Sequence, residues 1–108
     1  PQKIVLQSEL DDLSVFQVRN SDIDGNQHVN NTKYAQWVLD SLPISVLKQG
    51  AELKEYEINF LAETKIGDSV KVQKTKLDSF EGQQSVLRFQ GLRLSDDKPT
   101  FRALLRVE

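Results

Sequence analysis

A single helical repeat followed by nothing but strand pattern is the property of this chain that most restricts its fold. Tyr34, Trp37, Val38 and Leu42 recur at spacings of three and four, which gathers them on one face of a helix. That helix is expected to start near Asn30 or Asn31, either of which can cap it, and to run to Leu42. Ala35 and Leu39 widen the apolar stripe, so burial over much of the circumference is expected. Pro43 breaks or restarts the helix, and residues 44–50 are expected to add a turn closed by Gly50. After Gly50 the spacing changes to two. Tyr56, Ile58 and Phe60 alternate with charged or polar neighbours, as a half-buried strand requires. Lys65-Ile66-Gly67-Asp68 reads as a turn before Val70 and Val72, and Glu81-Gly82 punctuates a hairpin. Leu87 and Phe89 are out of phase with Leu92 and Leu94, a slip at Gly91 that predicts a bulge. A last turn around Asp96, Asp97 and Pro99 leads into Phe101, Ala103, Leu105 and Val107, with Arg102 and Arg106 on the opposite face.

Ahead of the helix, Val15 to Arg19 reads as a short strand with Phe16 and Val18 on one face. Residues 1–14 alternate poorly and carry Glu9, Asp11 and Asp12; they are expected to be a lead-in or interdomain linker, leaving 15–108 as one domain. The order is strand, loop, helix and four antiparallel strands. One helix against one curled antiparallel sheet is an α+β layer packing. With the long apolar helix lying in the curve of the sheet, this is the arrangement of a hotdog fold.

Composition removes several classes of function. The 108 residues, 38% hydrophobic, suffice for one core. No apolar run approaches the roughly 20 residues of a membrane span, and no basic-then-apolar leader opens the sequence. The chain opens on Pro1 rather than Met, which reads as a processed product or an excised piece. Cysteine is absent, so disulfides, thiolate nucleophiles and Cys-based zinc sites are excluded together, in keeping with a cytoplasmic protein. A single histidine argues against a protein-only transition-metal site. A net charge of −2 disfavours wholesale nucleic-acid binding. Residues 1–69 carry six Lys/Arg against eleven Asp/Glu, and residues 70–108 carry eight against five. The basic second half suits either an acidic partner or ordinary solvated strand faces.

The chemistry is concentrated in Asp22-Ile23-Asp24-Gly25-Asn26-Gln27-His28-Val29-Asn30-Asn31. Two carboxylates, a run of amides and the sole histidine stand immediately before an apolar helix, whose N-terminal amides can hold an anion. Asn and Asp are also cap and turn residues, so part of the cluster has a purely local use. Asp24 beside Gly25 is the first candidate for an acting carboxylate, against an Asx-turn acceptor. Asn26 can donate its amide to a carbonyl, against a turn residue of positive φ. His28 can exchange protons near neutral pH, against a satisfied structural imidazole. Asp22 is expected to face back to Arg19 or to cap the loop.

The run Val18 to Tyr34, followed by Trp37 and Leu39-Asp40, resembles the signature of the acyl-ACP thioesterases. So does Glu57-Ile58-Asn59-Phe60-Leu61-Ala62-Glu63-Thr64-Lys65-Ile66-Gly67-Asp68-Ser69-Val70. Wider hotdog thioesterases share a shorter His-Val-Asn-Asn version, and the Asn-Gln-His-Val-Asn-Asn form here is nearer the acyl-ACP branch. The resemblance is clear over residues 1–75 and continues as strand pattern beyond. It implies hydrolysis of fatty acyl-ACP thioesters to free fatty acid and ACP in fatty acid biosynthesis, without a cofactor or metal. The implied partner is acyl carrier protein bearing a phosphopantetheine-linked acyl chain.

Members of that family carry two hotdog domains, and this sequence resembles the second, which supplies the reacting groups while the N-terminal half shapes much of the acyl pocket. The resemblance matches Asp24, Asn26 and His28 to the family's D-x-N-x-H motif, and Glu63 to a catalytic Glu after the first strand beyond the helix. Glu63 paired through space with His28 would give a tuned base. Thr64 falls where many relatives have cysteine, so the chemistry here cannot depend on a thiol. Two other readings stay open: a single-domain hotdog acyl-CoA thioesterase completed by homodimerisation, and a non-catalytic acyl-binding hotdog.

Overall fold

The computed structural model describes residue 4 and residues 9–23, 29–42, 53–76 and 85–108. The turn expected over 44–50 and the hairpin at Glu81-Gly82 lie outside the described residues, as do Asp24, Asn26 and His28.

Strand β1 spans Leu10–Gln17, so it begins inside the stretch expected to be a lead-in and ends before Arg19. Its alternation is hidden by a register shift against the neighbouring strand: Asp12 faces Gln73 and Ser14 faces Val72, leaving Leu13 as an extra residue. The acidic residues that made the segment look like a linker are cross-strand partners. Asp12 accepts from Gln73 Nε2 at 2.9 Å and from Lys71 Nζ at 3.4 Å. A short 3-10 turn, Asn20–Asp22, follows, and buried Asp22 accepts from the Arg19 amide at 2.9 Å. Asp22 also pairs with Lys33 Nζ at 3.5 Å, which makes it the structural carboxylate expected from the sequence.

Helix α1 spans Asn31–Asp40. Asn30 caps it, its Oδ1 accepting from the Thr32 amide at 3.1 Å and the Thr32 hydroxyl at 3.0 Å. Tyr34, Trp37 and Val38 are buried, as is Leu42 just beyond the helix, while Ala35 and Leu39 are only half-buried. The apolar stripe is therefore narrower than expected, and Asn31, Thr32, Gln36 and Asp40 face solvent.

The remaining strands are β2 (Leu53–Phe60), β3 (Ser69–Thr75), β4 (Ser85–Arg93) and β5 (Lys98–Val107). All pairings are antiparallel, in the spatial order β1-β3-β4-β5-β2. The fold is a hotdog: among the described residues, one α-helix lies on one face of a five-stranded sheet. Val70, Val72, Leu87, Phe89, Phe101, Ala103 and Leu105 are all at or near zero exposure and form one cluster with the helix residues. Burying each large side chain is worth about 1.5–3 kcal/mol. Aromatic rings knit the layers: Phe16 of β1 stacks on Trp37 at 5.7 Å, and Tyr34 meets Phe101 at 4.9 Å.

On the outer face part of the charge asymmetry is settled across the ladder. Lys71 reaches Asp12 diagonally at 3.4 Å, and Arg106 reaches Glu55 at 2.9 Å. Such exposed pairs contribute little each. The bulge expected at Gly91 is present as a register shift between Gly91 and Leu92, but the extra residue is Thr100 on the partner strand. A Cβ at Gly91 would overlap the Cε1 edge of the Phe101 ring, which explains a glycine here by packing.

Candidate functional site

The bulged Thr100 organises the chain where it leaves β2. Its carbonyl accepts from the amides of both Leu61 and Ala62, at 2.9 and 3.2 Å, and its hydroxyl donates to the Gly91 carbonyl at 3.2 Å. The shared acceptor ends the ladder and turns residues 61–64 toward the N-terminus of α1. There the Tyr34 hydroxyl donates to Thr64 Oγ1 at 2.9 Å, with both side chains buried. The Val29 amide donates to the Thr64 carbonyl at 3.1 Å. Turn Lys65-Ile66-Gly67-Asp68 completes the segment: the Asp68 amide donates to the Lys65 carbonyl at 3.0 Å, and Gly67 has φ +87. That left-handed φ belongs to the third position of a type II turn and favours glycine.

Around this junction lies a cavity of about 360 Å³, lined by Val29, Asn31, Tyr34, Phe60, Leu61, Ala62, Glu63 and Thr64. Its walls are mixed. Phe60 and Leu61 are 48% and 45% exposed, an unusual allowance for large apolar side chains at adjacent positions. The first turn of α1, through Asn31 and Tyr34, supplies the opposite wall. Tyr34 stays protonated: burial pushes its pKa up, and the Thr64 hydrogen bond opposes that only in part.

Of the four residues singled out in the sequence, Glu63 is described. It is exposed, lines the cavity, and its carbonyl accepts from Arg93 Nη1 at 2.6 Å. Asp24, Asn26 and His28 lie outside the described residues, but the residues on either side of them are held. Ile23 and Val29 form an antiparallel bridge, and the Asn30 amide donates to the Asp22 carbonyl at 2.8 Å. Ile23 and Val29, the described residues on either side, are thus joined to each other at one paired step. Thr64 is 1% exposed and accepts from Tyr34.

Sequence reading missed Tyr34, Arg93 and Thr100 as site-forming residues. Tyr34 sits in the apolar stripe, where only a partner thirty positions away reveals its hydroxyl as a brace. Arg93 pairs with Asp96 three positions on, but nothing local linked it to Glu63. Among the described residues no group of three His, Asp or Glu could hold a metal ion.

Comparison with known proteins gives this geometry a context. The sequence profile described as the acyl-ACP thioesterase C-terminal domain matches residues 7–100. The chain is 36% identical over 62 residues to the chloroplastic palmitoyl-acyl carrier protein thioesterase of Arabidopsis thaliana, a match covering 52% of this chain and 15% of that protein. It is 41% identical over 63 residues to a chloroplastic acyl-[acyl-carrier-protein] hydrolase of Cuphea viscosissima, covering 58% and 15%. The crystal structure of an acyl-ACP thioesterase from Bacteroides thetaiotaomicron superposes with a TM-score of 0.84 at 22% identity, covering 100% of this chain and 41% of that one. The chain thus spans well under half the length of each.

Proposed function

The chain belongs to the acyl-ACP thioesterase C-terminal domain family, and on that premise we propose that the protein carrying it hydrolyses fatty acyl thioesters held on the phosphopantetheine of acyl carrier protein. Free fatty acid and ACP thiol are the products, a reaction that ends fatty acid biosynthesis. Asp24 supplies the acting carboxylate, Asn26 donates to the thioester carbonyl, His28 exchanges protons and Glu63 orients and tunes His28. Water oxygen bonds to the acyl carbon, the C–S bond breaks, and the proton taken from water returns to the departing thiolate. The Asn26 amide, donating to the thioester carbonyl, stabilises the oxyanion as it forms.

The observation that carries this reading is the hydrogen bond from the Val29 amide to the Thr64 carbonyl. His28 is covalently joined to Val29 and Glu63 to Thr64, and adjacent Cα atoms are about 3.8 Å apart. His28 and Glu63 are therefore the chain neighbours of the two residues joined by this bond, and Glu63 lines the cavity. Two exposed apolar residues in that lining, Phe60 and Leu61, support a second hotdog half completing the acyl pocket. Residues 15–108, with the strand residues from Leu10 added, would then be the C-terminal unit of a two-hotdog protein. No described helix is long and apolar enough to cross a membrane. A cytoplasmic location rests on the cysteine-free composition, whereas the curated plant relatives are chloroplastic.

The test is thiol release from acyl-ACP and from acyl-CoA by the full-length protein and its Asp24→Ala, His28→Ala and Glu63→Gln variants. Loss of about 100-fold or more in turnover is expected for each, with ACP the better carrier. Undiminished turnover in the variants removes the site assignment, and preference for CoA removes the carrier.

A further inference from the structure

We propose that Arg93 is a positioning residue for Glu63: clamped by Asp96, its guanidinium fixes the Glu63 peptide and so the direction in which that carboxylate leaves the chain. The inference rests on the role given to Glu63 above.

Arg93 is the last residue of β4, and its side chain is 18% exposed. Nε donates to Asp96 Oδ1 at 2.9 Å and Nη2 to Asp96 Oδ2 at 2.7 Å, a two-point grip between two planar groups. Nη1 is then aimed by the rigid plane of the guanidinium, and it donates to the Glu63 carbonyl at 2.6 Å. Asp96 is itself held: its Oδ1 also accepts from the Lys98 amide at 3.3 Å, in a turn that Asp97 closes with φ 55. The neighbours of Glu63 are fixed by other bonds, Ala62 to the Thr100 carbonyl and Thr64 to Val29 and Tyr34. The Arg93 bond adds a restraint on Glu63 itself, arriving from the far hairpin of the sheet. Because its charge is matched by Asp96, the guanidinium serves as a brace rather than as an anion site. Lysine has three donors on one nitrogen but no planar fork, so it cannot grip Asp96 at two points and aim a third N–H in a fixed plane.

The experiment compares Arg93→Leu, Arg93→Lys, Asp96→Asn, Glu63→Gln and the Glu63→Gln/Arg93→Leu double variant of the full-length protein, with acyl-ACP as substrate. Arg93→Leu is expected to lower kcat by about 10- to 100-fold with KM within about twofold, since misplacing a reacting group costs rate rather than binding. Arg93→Lys and Asp96→Asn should fall between it and the parent. In the Glu63→Gln background, Arg93→Leu should change kcat by less than about twofold, because a brace has nothing left to aim. An unchanged kcat in Arg93→Leu, or a loss of equal size with and without Glu63, overturns the inference. If Arg93→Leu does not fold, Arg93→Lys and Asp96→Asn carry the same comparison in both backgrounds. A fully active Glu63→Gln defeats the role of Glu63 and the brace together; an inactive Glu63→Gln beside a fully active Arg93→Leu defeats the brace alone.

Discussion

Tyr34 and Thr64 are thirty positions apart, yet the hydroxyl of one donates to the hydroxyl of the other at 2.9 Å inside the core. This bond ties the start of the helix to the chain leaving β2, and so joins the two walls of the cavity. Tyr34→Phe keeps the ring contacts with Trp37, Phe60 and Phe101 but leaves Thr64 Oγ1 buried without its donor. Denaturant unfolding should show a loss of about 1–3 kcal/mol. The Tyr34→Phe/Thr64→Val pair should lose less than Tyr34→Phe alone, because both polar ends are then gone.

Gly91 is held to glycine by the Phe101 ring rather than by its own backbone angle. Gly91→Ala should therefore destabilise by about 1–3 kcal/mol through overpacking. Adding Phe101→Leu should recover part of that loss relative to Phe101→Leu alone. An additive pair in chemical denaturation would rule out the steric account.

Tyr56 has a buried hydroxyl with no hydrogen-bond partner among the described residues, and burial raises its pKa to about 12. The neutral phenol is thus favoured in the folded state, whereas the unfolded chain ionises near pH 10. This contribution to stability is present below about pH 10 and is lost as pH rises through about 12. Both tyrosines should titrate with midpoints above the ordinary value in the folded protein, since burial raises Tyr34 as well. Phenolate absorbance checks this directly. Tyr56→Phe should leave stability unchanged or raise it by up to about 1 kcal/mol, since it deletes an unsatisfied group.

Asp96 behaves in the opposite sense. Its hydrogen bonds with Arg93 hold its carboxyl below the usual carboxylate range. The pair therefore contributes above the unfolded value of about 3.9, and the contribution disappears as pH falls through the lower folded pKa. A carboxyl NMR titration of Asp96 should show the depressed midpoint, and Arg93→Leu should return it toward the ordinary value. Asp96→Asn should remove this part of the acid sensitivity of the hairpin.

Local chemistry made most of the architecture legible. The three- and four-residue spacing of Tyr34, Trp37 and Val38 marked the helix, and the alternation of Phe101, Ala103, Leu105 and Val107 marked an inner strand face, because each period maps onto one buried side. The failures came where a single residue shifted the phase. Leu13 concealed half of β1 among acidic residues, and Thr100, not the glycine that advertised the slip, proved to be the bulge.

Residue types alone identified a polar, histidine-bearing loop ahead of a helix, because cap and turn preferences act over a few positions. They also marked Glu63 through its resemblance to a known motif. Only the folded chain could decide what stands beside Glu63. Tyr34, Val29, Arg93 and Thr100 reach residues 61–64 through hydrogen bonds spanning roughly thirty to forty positions, and such contacts exist only after the sheet has paired and the helix has packed onto it.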